Sequence, residues 1–337
     1  MTTLLTGATG LLGGALATLL LERGQPVRAL LQPGEDADRF TRAGLEICRG
    51  DLRDPASLRR AVDGIDVVLH CAARTGPWGP QADYDAVNVV GLGHLLLSAQ
   101  QAAVRRIVHV SSVTVHGNDL RGHGDETSPL RAEPNPYNRS KIAGERMVER
   151  LVRTTGAPIT VVRPGWIYGA GDRSSFGRIV ETVRRGQMVQ IGRGANHLPL
   201  IYVTDAARGV LLAADAPAGV GRTYVLVNDE PVTQERYLAT IARELGVAAP
   251  RRRIPYRLAI AMAALAERAQ GMLHPESPPP LTRFGVTMLG GDTRFSIERA
   301  RTDLGFRPEI GVDEGVRRGI AWHEDVREKA QLQWSAA

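Results

Sequence analysis

The sequence predicts an α/β protein, a parallel sheet wound on both faces by helices, with a smaller lobe built from the C-terminal half. Three observations lead there. Short β-type runs alternate with helix-length segments through the first 165 residues, the pattern of a parallel sheet covered by helices. A glycine-rich turn follows the first run directly and opens a helix. After Gly165 the alternation loosens, with strand-like runs scattered among helical patterns.

In order, the first-half strands are "TTLLTG", "PVRALL", "LEICRG", "DVVLHCAA", "RIVHVSS" and "PITVVRPG". The second half offers "MVQIG", "LPLIYV" and "RTYVLVN", among helices such as "TDAARGVLLAA", "TQERYLATIARELG" and the amphipathic stretch from Tyr256 to Leu273. No repeat of fixed period is present, and "PESPPP" at 275–280 reads as a stiff loop. With 337 residues, 43% of them hydrophobic, the chain can bury a sizeable core across two joined lobes.

Composition narrows the function classes. The net charge of +6 comes from scattered arginines rather than a basic stripe, so nucleic acid is not an expected partner. The apolar stretch from Leu258 is interrupted by Glu267 and Arg268 and is too short for a membrane span. Cys48 and Cys71 lie in apolar strand-like runs, where free thiols act as small hydrophobes. With no visible signal or transit peptide in "MTTLLTGATG", a reducing cytoplasm is the expected compartment.

The glycine turn, "TGATGLLGG", spaces Gly7, Gly10 and Gly13 three apart. Glycines there let the backbone turn tightly and approach a pyrophosphate, while the following helix N-terminus offers unpaired N–H groups. A Rossmann dinucleotide-binding unit over residues 1–165 is therefore expected, with later segments returning to it. Residues 166–327 are expected to form mostly a substrate-binding lobe, and 328–337 a tail. At the end of the second strand, "VRALLQPG" lacks the acid that would hold ribose hydroxyls; Leu31 stands there, followed by neutral Gln32. Arg28 or Arg39 is placed to meet a 2′-phosphate, which favours NADP(H) over NAD(H). Asp51 in "RGDLRD" suits the adenine amino group, or else caps the loop before the Pro55 helix.

The segment "YNRSK" raises a separate question. Among 42 lysines and arginines only Lys141 and Lys329 are lysines. Asn135 is a plausible N-cap and Pro136 sits in the first turn, so Tyr137 and Lys141 fall at i and i+4 on one helix face. Upstream, Ser111 and Ser112 end the fifth strand at the carboxyl edge, where open parallel sheets bind ligands.

At this point the chain resembles the extended short-chain dehydrogenase/reductase superfamily. "TGATGLLGG", "GDLRD", "HCAA", "NVVG", "VSSVTVHG", "YNRSK", "RPGWIYG" and "ARTDLGFRP" appear in the family's order. The resemblance implies Tyr137 as acid/base, Lys141 as its electrostatic partner and ribose ligand, and Ser112 as the hydroxyl orienting the reacting oxygen. It also implies Asn88 near the active site. Thr9, Leu11, Leu12, Leu52, Cys71, Ala72, Ala73 and Pro164 join Gly7, Gly10, Gly13, Arg28, Gln32, Asp51, Tyr137 and Lys141 as implied cofactor contacts. No metal is implied. A phenol with pKa near 10 needs a cation to act as a base at neutral pH, and an ammonium fits where a wider guanidinium does not.

Ser111, His116, Trp78 and Trp166 carry structural readings at least as strong as functional ones. Nucleotide-sugar members of the family carry an arginine where "NHLPLIYVTD" has Leu198. Segments such as "ARTGPWGPQADYDAVNVVG" look like the branch of 3β-hydroxysteroid dehydrogenases, sterol-4α-carboxylate 3-dehydrogenases and 2-alkyl-3-oxoalkanoate reductases. The implied function is an NAD(P)-dependent ketone/alcohol oxidoreductase on a hydrophobic substrate, as a homodimer. A nucleotide-sugar epimerase or dehydratase and a non-catalytic dinucleotide sensor are the alternatives.

Overall fold

The computed structural model describes the backbone of residues 1–335 and the side chains of residues 1–328. In chain order the first half runs β1 (Thr3–Thr6), α1 (Leu11–Glu22), β2 (Val27–Leu31), α2 (Asp38–Arg42), β3 (Glu46–Arg49), α3 (Pro55–Val62), β4 (Val67–His70), α4 (Gln81–Asp85), α5 (Leu92–Gln101), β5 (Arg106–Val110), β6 (Gly122–Gly124), α6 (Pro136–Thr155) and β7 (Ile159–Pro164). The second half continues with β8 (Trp166–Tyr168), α7 (Ser175–Arg184), β9 (Gln190–Ile191), β10 (Leu200–Tyr202), α8 (Val203–Asp215), β11 (Thr223–Leu226), α9 (Gln234–Glu244), β12 (Arg253–Ile254), α10 (Tyr256–Leu273), α11 (Arg283–Gly290), β13 (Thr293–Phe295), α12 (Glu298–Leu304) and α13 (Val312–Ser335).

Seven strands form one parallel sheet in the order β11-β7-β5-β4-β1-β2-β3. Its strands bury side chains on both faces, as helices on both sides require. On one face Leu5, Leu69 and Val108 pack with Leu16 and Leu20 of α1 and Val210 of α8. On the other, Leu4, Val68 and Ile107 pack with Leu58 of α3, Leu95 of α5 and Val148 of α6. The chain winds outward from β1 through β2 to β3, then returns to place β4 on β1's other side. That reversal opens a crevice at the strands' carboxyl ends, between β1 and β4.

The run "RTYVLVN" belongs to this sheet. β11 pairs with β7 from Thr223–Val161 to Leu226–Pro164, and Val225 and Leu226 are fully buried. The division at residue 165 is therefore crossed by β11 and α8, which return to the first unit. A second core of Tyr168, Phe176, Tyr202 and Tyr237 forms the lobe, with Val312 and Val316 of α13 packed into it. A small cluster of Ile191, Ala259, Ala263 and Val286 seats α10 and α11 on this lobe. The expected tail does not begin at 328: α13 continues through Ser335, while 336 and 337 lie outside the described residues.

Helix α6 ties the layers together. Asn135 caps it, accepting from the N–H groups of Tyr137 at 2.8 Å and Asn138 at 3.2 Å, with Pro136 in the first turn and Gly156 in a left-handed cap at the end. Two turns in, Glu145 takes Arg163 of β7 in a buried pair at 2.5 Å. The same guanidinium donates to His116 Nε2 at 3.0 Å. That contact makes Nε2 an acceptor, so Nδ1 carries the proton and donates to the Pro129 carbonyl. Removing one member of a buried pair leaves a charge without its partner. Glu145→Leu is expected to cost about 3–5 kcal/mol in urea unfolding, and adding Arg163→Met is expected to restore much of that loss. A double variant no more stable than the single one would show that the pair's charge is not what matters.

Candidate active site

The glycine turn is shaped by close approach. Gly7 has φ +72°, and a Cβ on it would lie 2.7 Å from the Ala72 nitrogen; one on Gly13 would lie 2.0 Å from the Gly7 carbonyl oxygen. These two positions admit no side chain, and they bring the start of α1 down onto the ends of β1 and β4. Gly10 differs, because its missing Cβ would meet only the Gly7 carbonyl oxygen, at 3.3 Å. Thr9 and Gly10 are exposed, and no side chain caps α1. Free N–H groups over an open glycine are what a pyrophosphate requires, so the residues present fit a dinucleotide. Leu12 turns its side chain into the sheet core, and Leu11 packs toward the lobe, leaving the backbone of both to face the crevice edge. Across it, the Ala72 N–H donates to Thr6 Oγ1 at 3.1 Å, which fixes the Cys71–Ala72–Ala73 strand exit. Burial pushes the Cys71 thiol up to about 12, so it is a spacer rather than a nucleophile. Pro164 closes β7 on the same edge.

At the adenosine end Leu31 is fully buried, and the next acid in the chain, Glu35, is already engaged by protein groups. A turn at Pro33–Gly34 brings Glu35 back, so that its carboxylate accepts from Thr9 Oγ1 at 2.7 Å and from the Gln32 N–H at 2.6 Å. Arg49 donates to the carbonyls of Gln32 at 2.9 Å and Glu35 at 2.7 Å. Arg39 lies over the Phe40 ring at 4.4 Å, with only long contacts to Ala8 and Thr9 carbonyls. Arg28 is corrected: it sits near the start of β2, at the sheet's opposite end. There it pairs with Glu46 at 2.7 Å and donates to the carbonyls of Ala61 and Asp63. Asp51 is clasped by its neighbour Arg53, which holds its carboxyl below the usual range. The cap of the Pro55 helix is Asp54, not Asp51, and Leu52 is buried beside Gly91.

The three residues of the candidate chemistry converge at the ends of β5 and α6. The oxygen of Ser112 accepts from the Thr114 N–H at 3.2 Å and the Thr114 hydroxyl at 3.1 Å. Its own proton is left to donate, and it bonds the Tyr137 phenol. Desolvation pushes that phenol up to about 12, against the pull of the Ser112 bond. Lys141 is 3% exposed and donates from Nζ to the Val110 carbonyl at 2.8 Å, 5.8 Å from the Tyr137 ring centre. Burial lowers it to about 8. Beneath this edge His70 and His109 stack at 5.4 Å, and burial holds both neutral.

Asn88 lies at the heart of a π-helical turn, Ala86–Gly91, but does not meet Tyr137 or Lys141. It bonds the Arg74 N–H and carbonyl and, at 2.8 Å, the hydroxyl of Ser140. It braces the loop after β4 against α6 one residue from Lys141, which is a positioning role. Ser111 has a buried hydroxyl without a partner, and its N–H holds the strand end through Val162. His116 belongs to the Arg163 network, and Trp166 packs edge-on against Tyr237 in the lobe. Trp78 reaches across to the far lobe, donating to the Pro275 carbonyl at 2.8 Å. Sequence reading missed Glu35 and Arg49, where the one signal is the acid in "QPGED" directly after the Pro33–Gly34 turn dipeptide, and the Glu145–Arg163 pair.

This geometry has matched counterparts. The model of the NAD dependent epimerase/dehydratase family matches residues 3–226. A 2-alkyl-3-oxoalkanoate reductase of Stenotrophomonas maltophilia is 30% identical over 328 residues, covering 94% of this chain and 98% of the relative. A 3 beta-hydroxysteroid dehydrogenase/Delta 5-->4-isomerase of Mycobacterium tuberculosis is 30% identical over 353 residues, 99% of this chain and 94% of the relative. The structure of UDP-glucuronic acid 4-epimerase from Bacillus cereus in complex with NAD superposes with a TM-score of 0.77 at 19% identity, over 97% of this chain and 99% of that one; this is a likeness of fold. A glycine turn under an uncapped helix, a seven-stranded parallel sheet and these matches agree: the chain belongs to the NAD-dependent epimerase/dehydratase family of extended short-chain dehydrogenase/reductases, and is an NAD(P)-dependent enzyme.

Proposed function

We propose that this enzyme reduces the ketone of a large apolar substrate to a secondary alcohol, with NADP(H) as its dinucleotide and Tyr137 as the acid. The observation that carries the reading is the Ser112–Tyr137–Lys141 arrangement, in which the phenol holds its proton and the ammonium is buried beside it. A dinucleotide held at the glycine turn would supply hydride to the carbonyl carbon. Ser112, its oxygen already engaged by Thr114, hydrogen-bonds the carbonyl oxygen through its O–H and keeps its proton. As charge develops on that oxygen, Tyr137 gives up its proton, and the Lys141 ammonium stabilises the phenolate left behind. A phenol raised to about 12 holds that proton at neutral pH, the state in which it can serve as the acid of a reduction.

Leu198 supports an apolar substrate. It is buried in the lobe core and offers no fork to a sugar diphosphate. The curated relatives act, by their names, on alkyl-oxoalkanoate and steroid substrates. Exposed Val90 and Leu97, beside a cleft lined by Gly93, Met147 and Leu151, support pairing of two copies through α5 and α6. Free Cys48 and Cys71 suit a reducing cytoplasm. Among the described residues no helix is long and apolar enough to cross a membrane.

The direct test is consumption of NADPH with a panel of apolar β-keto acyl compounds, 3-keto steroids and UDP-sugars. Turnover confined to UDP-sugars would overturn the substrate class. Tyr137→Phe is expected to retain NADPH binding and lose about 10²–10⁴-fold in kcat; unchanged turnover removes Tyr137 from the mechanism. For the cofactor, Arg39→Ala is expected to weaken NADPH binding by about tenfold or more while sparing NADH, read by nicotinamide fluorescence. Equal loss for both dinucleotides would deny Arg39 the 2′-phosphate.

Lys141 also sets a stability expectation. Its folded pKa falls from 10.5 to about 8, so between those values the unfolded chain binds the extra proton and stability rises with pH. At neutral pH the buried charge is a cost. Lys141→Met is therefore expected to stabilise the fold by about 1–3 kcal/mol at pH 7 while abolishing activity. A destabilised variant would mean that the bond to Val110 outweighs desolvation.

A further inference from the structure

Helix α10 seats itself on the lobe by a narrow contact. Of its eighteen residues only Ala259 and Ala263 are buried. At 100° per residue, Leu258, Ala261, Met262, Leu265, Ala269 and Met272 share the opposite face. Leu265 is 71% and Met272 72% exposed. A helix apolar on the side away from its own core has a second surface to bury.

Charge says what covers it. Residues 251–274 hold five arginines against one glutamate. The glutamate, Glu267, is taken by Arg283 at 2.6 Å, and Arg253 by Glu235 at 3.1 Å. Among the described residues Arg251, Arg252, Arg257 and Arg268 have no carboxylate partner, and all four are exposed. Arg257 and Arg268 run along one flank of the apolar stripe. A second copy of this chain fits the face poorly, because a two-fold contact must be self-complementary and this flank sets Arg257 and Arg268 against their own kind, while Glu276, an acid without a cationic partner among the described residues, lies beyond the helix end. An anionic lipid surface complements both features at once, receiving Leu and Met side chains below its headgroups while the arginines meet phosphate.

The helix also stands at the rim of the crevice. Its C-terminal end runs into the loop whose Pro275 carbonyl receives Trp78, from the segment that Asn88 braces beside α6. We infer that α10 is an interfacial anchor, docking the enzyme on an anionic membrane surface with the rim of the candidate active site facing the lipid. The inference deepens the proposed function, since an apolar ketone would be taken from that surface; vesicle binding is read without turnover, so either reading can fail alone.

The experiment is co-sedimentation of the full-length, NADPH-loaded protein with vesicles. One set is phosphatidylcholine alone and the other an equal mixture of phosphatidylcholine and phosphatidylglycerol, at low and high salt. The wild type is expected to pellet with the mixed vesicles, and about tenfold less with phosphatidylcholine or at high salt. Arg257→Gln/Arg268→Gln and Leu265→Glu/Met272→Glu are each expected to lower binding by about tenfold or more, with unchanged melting temperature and NADPH fluorescence showing that the fold is intact. Wild-type protein left in the supernatant overturns the inference, as does full binding by folded Leu265→Glu/Met272→Glu. So does a larger species in light scattering without lipid that Leu265→Glu/Met272→Glu abolishes, which would make the face a contact between copies.

Discussion

The ammonium of Lys141, buried and held by one backbone carbonyl, is the constraint around which the rest of the site is arranged. Its bond to Val110 pins α6 to the end of β5. Ser112 leaves that same strand end and Tyr137 stands one turn earlier on that same helix, so a single contact between strand and helix sets the positions of all three. A guanidinium is wider, keeps its charge and seeks a planar partner. The space between α6 and β5 offers one carbonyl and no carboxylate within bonding distance. In a chain that otherwise relies on arginine, with one other lysine at 329, this explains the lysine in "YNRSK".

What holds Lys141 also holds its surroundings. Asn135 fixes where α6 begins, Glu145 and Arg163 lock it to β7, and Asn88 ties it through Ser140 to the loop after β4. The candidate reacting groups thus rest on rigid elements at the sheet's carboxyl edge, while α10 and its following loop, which meet the loop after β4 through Trp78, are seated by few buried side chains.

Much of this was legible in the sequence because it depends on local patterns. Alternating strands and helices gave the sheet, glycine spacing gave the turn, and Asn135, Pro136, Tyr137 and Lys141 gave a capped helix with two groups on one face. What was not legible depends on contacts between distant segments. Arg28 reads as a cation near a strand end, but its register places it at the wrong end, where Glu46 claims it. Glu35 reads as a loop acid until a turn folds it back toward Thr9. "RTYVLVN" carries nothing to say which sheet it joins; its pairing with β7 is decided by the unpaired edge of that strand. Asn88 is placed near the site by the resemblance, but its bonds to Arg74 and Ser140 are not visible in sequence, since a side chain that spans two elements looks the same there as one that faces a substrate.

In the proposed reaction a protonated Tyr137 delivers a proton while a charged Lys141 stands behind it. The deciding measurement is the pH dependence of kcat/KM for NADPH-linked reduction of an apolar ketone. Lys141 loses its proton near pH 8 and Tyr137 keeps its own to about 12, so the account predicts a rate that is level below about pH 8 and falls above it. A rate that climbs through pH 8 would contradict it, because the enzyme would then need Lys141 neutral or Tyr137 ionised.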